Sequence, residues 1–171
     1  MSKKILVLGY ARHGKDTAAK RYTANNPGTR FSSSSWFAAN HFIFKQLCAL
    51  GYGYLSVQEC YDDRRNHRKL WHALIARYNA DDPTRLARHL LKRNDIYVGM
   101  RAKREVQACF SAGLFDLCYW VDASQREGPE SAESMDFGLD WVISCPHRKC
   151  RLIRIDNNNN VMTEEEVYLP N

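Results

Sequence analysis

The sequence predicts an α/β protein with a mainly parallel central sheet. Short apolar segments such as Ile5–Leu8 and Leu117–Val121 read as strands buried on both faces. Helical stretches alternate with them, as crossover connections require. The 171 residues fit one domain and can bury a core without disulfide or metal staples.

Taken in order, Lys3–Leu8 is the first strand and Gly9–Gly14 interrupts it. Lys15–Ala24 is a run of good helix formers, ended by Asn25, Asn26, Pro27 and Gly28. Arg30–Phe31 is a short second strand. Ser32–Ser35 then offers N-caps for a helix from Trp36 to about Leu50. After the Gly51–Gly53 break, Ser56 and Glu59 have capping-box spacing and open a long helix to about Tyr78. Asn79–Pro83 is a turn, Thr84–Arg93 a helix, Asp95–Gly99 a strand, and Arg101–Ala112 a helix closed by Gly113. Leu117–Val121 is a further strand. The polar, acidic stretch Asp122–Gly138 is expected to be a loop or lid. Trp141–Ser144 and Leu152–Ile155 read as late strands, Asn157–Asn160 as a turn, and the acidic tail from Thr163 specifies no element. No internal repeat is visible.

A hydrophobic fraction of 44% and an aromatic fraction of 12% exclude a wholly disordered, collagen-like or coiled-coil chain. The apolar runs are too short to span a bilayer, and Lys3 and Lys4 precede only a strand's length of apolar residues. The expectation is a cytoplasmic protein with no membrane partner. Its six cysteines are then reduced thiols, mostly small buried hydrophobes. Cys145, His147 and Cys150 are of zinc-ligand type, but no fourth ligand stands at the usual spacing, so a basic loop is expected there.

The net charge of +6 is unevenly placed. Residues 61–104 carry twelve bases against five acids, which suits an anionic partner or a solvated helix face equally well.

One motif is specific. Gly9-Tyr-Ala-Arg-His-Gly14-Lys15 has the form G-x-x-x-x-G-K directly after a strand and before a helix, the context that a P-loop needs. Its glycines permit the tight backbone that points successive N–H groups at phosphate oxygens. Lys15 would neutralise charge on the transferred phosphoryl group. Gly9, Arg12, His13, Gly14, Lys15, Asp16 and Thr17 are the nucleotide-binding candidates, and ATP with Mg²⁺ is the expected ligand. Where the pattern has Ser or Thr after the lysine, this chain has Asp16 and then Thr17. Either could hold Mg²⁺, or Asp16 could face the acceptor as a base.

Gly14-Lys15-Asp16-Thr17 resembles the form found in phage deoxynucleoside monophosphate kinases and their relatives. Asp95-Ile-Tyr-Val-Gly-Met-Arg101, with Glu105, Gly113, Phe115 and Val121-Asp122, looks like the second half of that family. The resemblance covers about two-thirds of the chain. It implies a three-layer P-loop NTPase fold of the nucleoside monophosphate kinase kind, spanning residues 1–171 as one kinase domain. A helical acceptor-side insertion at about 36–93 and a lid at about 122–138 complete it. One branch of such kinases phosphorylates 5-hydroxymethyluracil already incorporated in phage DNA, and this compact, basic chain is similar to it. That implies an ATP-dependent phosphotransferase in the host cytoplasm with a DNA acceptor. A free deoxynucleoside monophosphate acceptor is the alternative, and a nucleotide-binding switch module a third reading.

No clear Walker-B carboxylate is present. Asp95 precedes its strand, while Asp122 follows one and is the better-placed acid for a metal. The family's adenine-contacting end would correspond to Asp156–Asn158. Among the bases, Arg101 follows a strand's carboxyl end, where α/β sheets bind ligands; its alternative is an ion pair with Glu105. Arg64, Arg65 and Arg68 lie within two helical turns, so two of them could face one phosphate, or all could pair with Asp62 and Asp63. Lys15, Asp16, Arg101, Arg64 and Arg68 are the catalytic candidates. Ser32–Ser35 could hydrogen-bond the acceptor and Trp36 or Phe37 could stack on a base, although capping and core packing explain the same residues.

Overall fold

The computed structural model describes residues 3–127, 135–159 and 161–167. Among the described residues six strands form one sheet in the order β2-β3-β1-β4-β5-β6: β1 Ile5–Leu8, β2 Phe31–Ser33, β3 Ile96–Val98, β4 Leu117–Asp122, β5 Arg151–Asp156 and β6 Thr163–Val167. The first five are parallel, and β6 runs antiparallel to β5. Central β1 pairs with β3 and β4, Leu6 standing opposite both Tyr97 and Cys118.

The two-residue alternation of side chains sorts the core into two faces. Leu6, Leu8, Tyr97, Cys118 and Trp120 meet residues of α6 (Arg85–Leu91), α7 (Lys103–Ser111) and α8 (Leu139–Ser144). Ile5, Val7, Ile96, Val98 and Val121 meet Ala18 and Ala19 of α1 (Lys15–Asn25). Helices thus cover both faces, in three layers. All of β1 is buried, which is why it reads as an unbroken apolar run. Each such side chain contributes about 1.5–3 kcal/mol of burial.

Between β2 and β3 the chain builds a helical insertion with its own core around Ile43, Leu47, Cys60, Trp71 and Leu86. α2 (Ser34–Ala38) passes through a π-turn at Ala39–Ile43 into α3 (Phe44–Ala49). The Ser33 hydroxyl caps α2 by accepting the Trp36 N–H. α4 (Val57–Asp62) opens at the expected capping box: Ser56 accepts from Glu59 N–H, and Glu59 reaches back to Leu55 N–H.

Three expectations are corrected. The long helix from Ser56 to Tyr78 is broken into α4, a 3-10 turn at Asp63–Arg65 and α5 (Arg68–Tyr78). Asp63 receives Tyr54 Oη at 2.5 Å and Asn66 Nδ2 at 2.6 Å and lies 3.0 Å from His67 Nε2, side-chain contacts that compete with helix propagation. Trp141–Ser144 belongs to α8 and is not a strand. Leu139, Val142 and Cys145 recur at helical spacing against the core, and that burial overrides β propensity. The tail from Thr163, given no element from sequence, forms edge strand β6, whose charged face is joined to β5 by Arg151 bonded to both oxygens of Glu166.

In the loop at 145–150, buried Arg148 donates to the carbonyls of Val142, Ile143 and Cys150 and so satisfies the end of α8. Cys145 and Cys150 are core residues and His147 is exposed. No three metal-ligating side chains gather among the described residues, and no helix there is long and apolar enough to cross a membrane.

Candidate functional site

The connection from β1 runs past β3 to reach β2, whereas that from β3 runs past β1 to reach β4. Adjacent strands therefore send their chains in opposite directions, and the crevice at their carboxyl ends is a switch point of the kind where α/β sheets bind ligands. The Gly9–Lys15 loop leaves one side of it and Gly99–Arg101 leaves the other.

Three residues of the loop have positive φ: Gly9 at 137°, Arg12 at 64° and Gly14 at 94°. A Cβ on Gly9 would collide with the Val121 carbonyl, and one on Gly14 with the Asn157 amide. Glycine is demanded at Gly9 by close approach to backbone as well as by its φ, and at Gly14 by its φ. Gly14 is the N-cap of α1 and brings no side chain of its own to cap it, and the partial positive charge of that helix start lies at the loop. Lys15 Nζ donates to the Tyr10 carbonyl at 2.7 Å, which folds the ammonium over the loop.

The loop is held from two strands. Buried His13 accepts the Ala123 N–H at Nδ1 (2.9 Å), Asn157 Nδ2 donates to the His13 carbonyl (2.9 Å), and Arg12 lies 3.4 Å from Glu127. The Tyr10 ring meets His13 and Trp120 edge-on. Asn157 N–H bonds the Asp122 carbonyl, Arg126 bonds the Asn157 carbonyl, and Asn158 accepts from Gln125 N–H. Asn157 and Asn158 thus lock the turn after β4 to the loop. His13 is a structural pin of the loop.

Asp16 and Thr17 are both exposed on the first turn of α1. Asp122 is differently placed. Its Oδ2 accepts Arg154 Nη2 at 2.5 Å and its Oδ1 accepts Ser124 N–H at 2.9 Å. Burial pushes its pKa up, but Arg154 and Ser124 outweigh that and hold the carboxyl below its ordinary value. Any metal there competes with an existing ion pair. Asp95 joins Lys4 Nζ and Arg30 N–H at the opposite ends of the strands, away from the loop.

Beyond Gly99 lies a cleft of about 270 Å³ whose walls include Ser34, Ile75, Met100, Arg101, Glu105 and Met135. A Cβ on Gly99 would stand 3.8 Å from both Lys15 Cε and Ser34 Oγ, so loop and cleft are contiguous. Ser34 Oγ donates to the Gly99 carbonyl at 3.0 Å. Asn79 Nδ2 donates to Glu105 Oε1 at 2.8 Å, deep in the wall. Burial raises the Glu105 pKa, opposed by Asn79 and Arg104. Burial, and then Glu105 itself, raise the Tyr97 hydroxyl well above its usual range.

Of the insertion arginines, Arg64 lies over the Tyr61 ring at 3.8 Å and donates to the Tyr61 carbonyl, which makes it part of the packing. Arg68 is exposed one helical turn before His72, a cleft residue, so it stands on the side of α5 that leads to the cleft. Arg65 is exposed. Trp36 stands edge-on to Tyr61 and is 36% exposed, while Phe37 stacks on His41 toward the core. Residues 128–134 of the expected lid lie outside the described residues; Met135 and Phe137 pack in the core.

Sequence reading brought Gly9–Thr17, Ser34 and Arg101 to this edge. It missed Asn157 as a loop clamp, Asn79 and Glu105 as cleft groups, and Ala123 as the partner of His13. Glu105 had a signal, being a lone acid in the buried row shared with Cys109 on α7. Comparison of the chain with protein-family models gives no match, and comparison with curated proteins gives none.

Proposed function

We propose that the protein is an ATP-dependent kinase of P-loop NTPase type, with the hydroxymethyl group of 5-hydroxymethyluracil in DNA as its leading acceptor. The observation that carries this reading is the glycine-cradled Gly9–Lys15 loop at the switch point, opening on the cleft beside Gly99. Loop N–H groups and the start of α1 suit the phosphates of ATP, and Arg12 and Asn157 set the shape of the cradle. Lys15 would exchange the Tyr10 carbonyl for a phosphate oxygen.

Asp16 and Thr17 would hold Mg²⁺, which supplies positive charge to the phosphates when bound. The acceptor oxygen attacks the γ-phosphorus, the bond to the bridging β–γ oxygen breaks, ADP leaves, and the acceptor proton passes to solvent. Arg101 lines the cleft where an anionic acceptor would approach, and Arg68 stands one helical turn before the cleft residue His72. The basic insertion supports a DNA acceptor over a free one. The limited cleft volume favours a free deoxynucleoside monophosphate, and that is the second reading.

The test incubates the full chain with γ-labelled ATP, Mg²⁺ and two acceptor sets. These are free deoxynucleoside monophosphates, and duplex DNA with or without 5-hydroxymethyluracil. Label in the modified DNA alone supports the leading reading, and label in a free monophosphate supports the second. Absence of transfer to both overturns the kinase reading and leaves a nucleotide-binding switch.

A further inference from the structure

The cleft beside Gly99 combines apolar walls with one deeply placed acid. Ile75, Met100 and Met135 offer surfaces suited to a flat ring. Glu105 lines the same cleft although only 9% of it is exposed.

The carboxylate is oriented from behind. Asn79 is itself buried, its Oδ1 accepts the Leu86 N–H at 3.0 Å, and its Nδ2 donates to Glu105 Oε1 at 2.8 Å. The backbone bond fixes which end of the Asn79 amide faces Glu105, so Oε1 is always supplied with a donor. Oε2 has no partner among the described residues and remains as the acceptor that Glu105 offers to the cleft. No basic side chain forms an ion pair with Glu105 there either. Keeping a carboxylate in this setting costs desolvation energy that a glutamine would avoid. A placement that burdens the fold and faces a cleft is one that ligand binding explains.

Resting on the kinase reading above, we infer that this cleft is a nucleobase pocket in which Glu105 Oε2 accepts the ring N3–H of a uracil-type base. A cytosine-type base presents a bare N3 lone pair at that position, which a carboxylate repels. A site built around one such hydrogen bond rejects an analogue that lacks the donor far more strongly than an apolar pocket rejects a shape change. Glu105 is thus assigned a specificity role.

The test measures equilibrium binding of three nucleosides to the full chain: 5-hydroxymethyl-2′-deoxyuridine, its N3-methyl derivative and 5-hydroxymethyl-2′-deoxycytidine. The first should bind about tenfold or more tighter than the other two. In Glu105→Gln the amide nitrogen turns a donor toward the cleft, so the preference for uridine over cytidine should vanish or reverse. Equal binding of the N3-methyl and parent uridines overturns the inference with no substitution needed. Equal weakening of all three nucleosides in Glu105→Gln, or no binding of any, also overturns it. Transfer from γ-labelled ATP, run in parallel, separates the two proposals. Nucleoside preference without transfer leaves the pocket standing and removes the kinase. Transfer without preference does the reverse.

Discussion

His13 Nδ1 accepts the Ala123 N–H at 2.9 Å, joining the middle of the Gly9–Lys15 loop to the end of β4. The imidazole is fully buried, so its removal opens a cavity and strands a buried donor. His13→Ala should cost about 2–4 kcal/mol of stability. It should also weaken ATP binding, because the loop loses one of its clamps. Denaturant unfolding and nucleotide titration check the two effects; unchanged stability would remove His13 as a pin.

Lys15 stands on the first turn of α1 outside the buried clusters, and its ammonium rests on the Tyr10 carbonyl. Lys15→Ala should therefore keep the unfolding midpoint while lowering phosphoryl transfer by about 10²–10³-fold, the scale seen when one preorganised electrostatic donor is lost. Single-turnover transfer from labelled ATP is the measurement. A variant that transfers normally would show that the loop is not the phosphate cradle.

What was legible in the sequence followed from strong local rules. Gly9 and Gly14 could be read because backbone geometry admits little else, and β1 because burial on both faces leaves it no polar residue. Trp141–Ser144 misled because a four-residue apolar run carries no period, and its true face appears only when Leu139 and Cys145 are included. The asparagines after β5 read as a plain turn because their partners, Gln125 and the His13 carbonyl, are distant in sequence. No local pattern records that the end of β5 lies beside the loop.

Arg68 and Arg64 separate two kinds of basic residue in the insertion. Arg68 is exposed on the cleft side of α5, whereas Arg64 is spent on Tyr61. If DNA passes over this face, Arg68→Ala should reduce the slope of log affinity against log salt by about 0.9, one phosphate contact. Arg64→Ala should instead lower stability by about 0.5–1 kcal/mol through the lost cation–π contact. Salt titrations of duplex binding, with melting curves for both variants, test the division.

Glu105 links function to stability. Its carboxyl pKa is raised by burial, with Asn79 and Arg104 opposing. A carboxyl whose folded pKa exceeds its unfolded value contributes stability that is present below the unfolded value and lost as pH rises through the folded one. Glu105→Gln keeps the Asn79 hydrogen bond and removes the charge, so it should raise Tm at about pH 8 and change it little in acid. Melting curves over that pH range decide it; a variant less stable at every pH would mean that the charge is compensated by a partner.

Asp122 has the opposite sign. Burial opposes its ionisation, but Arg154 and Ser124 hold its pKa below the ordinary value near 3.9. Its stabilising contribution is therefore present above the unfolded pKa and lost as pH falls through the lower, folded one. Asp122→Asn keeps an acceptor for Ser124 N–H and removes the ion pair, which should cost about 1–3 kcal/mol at neutral pH and flatten the acid limb of unfolding. The same variant tests the metal. Because Arg154 already occupies Oδ2, Mg²⁺ dependence of transfer should be unchanged in Asp122→Asn and weakened in Asp16→Asn or Thr17→Val. An Asp122→Asn enzyme that needs much more Mg²⁺ would place the cation on β4, and the Arg154 pair would then have to open during each turnover.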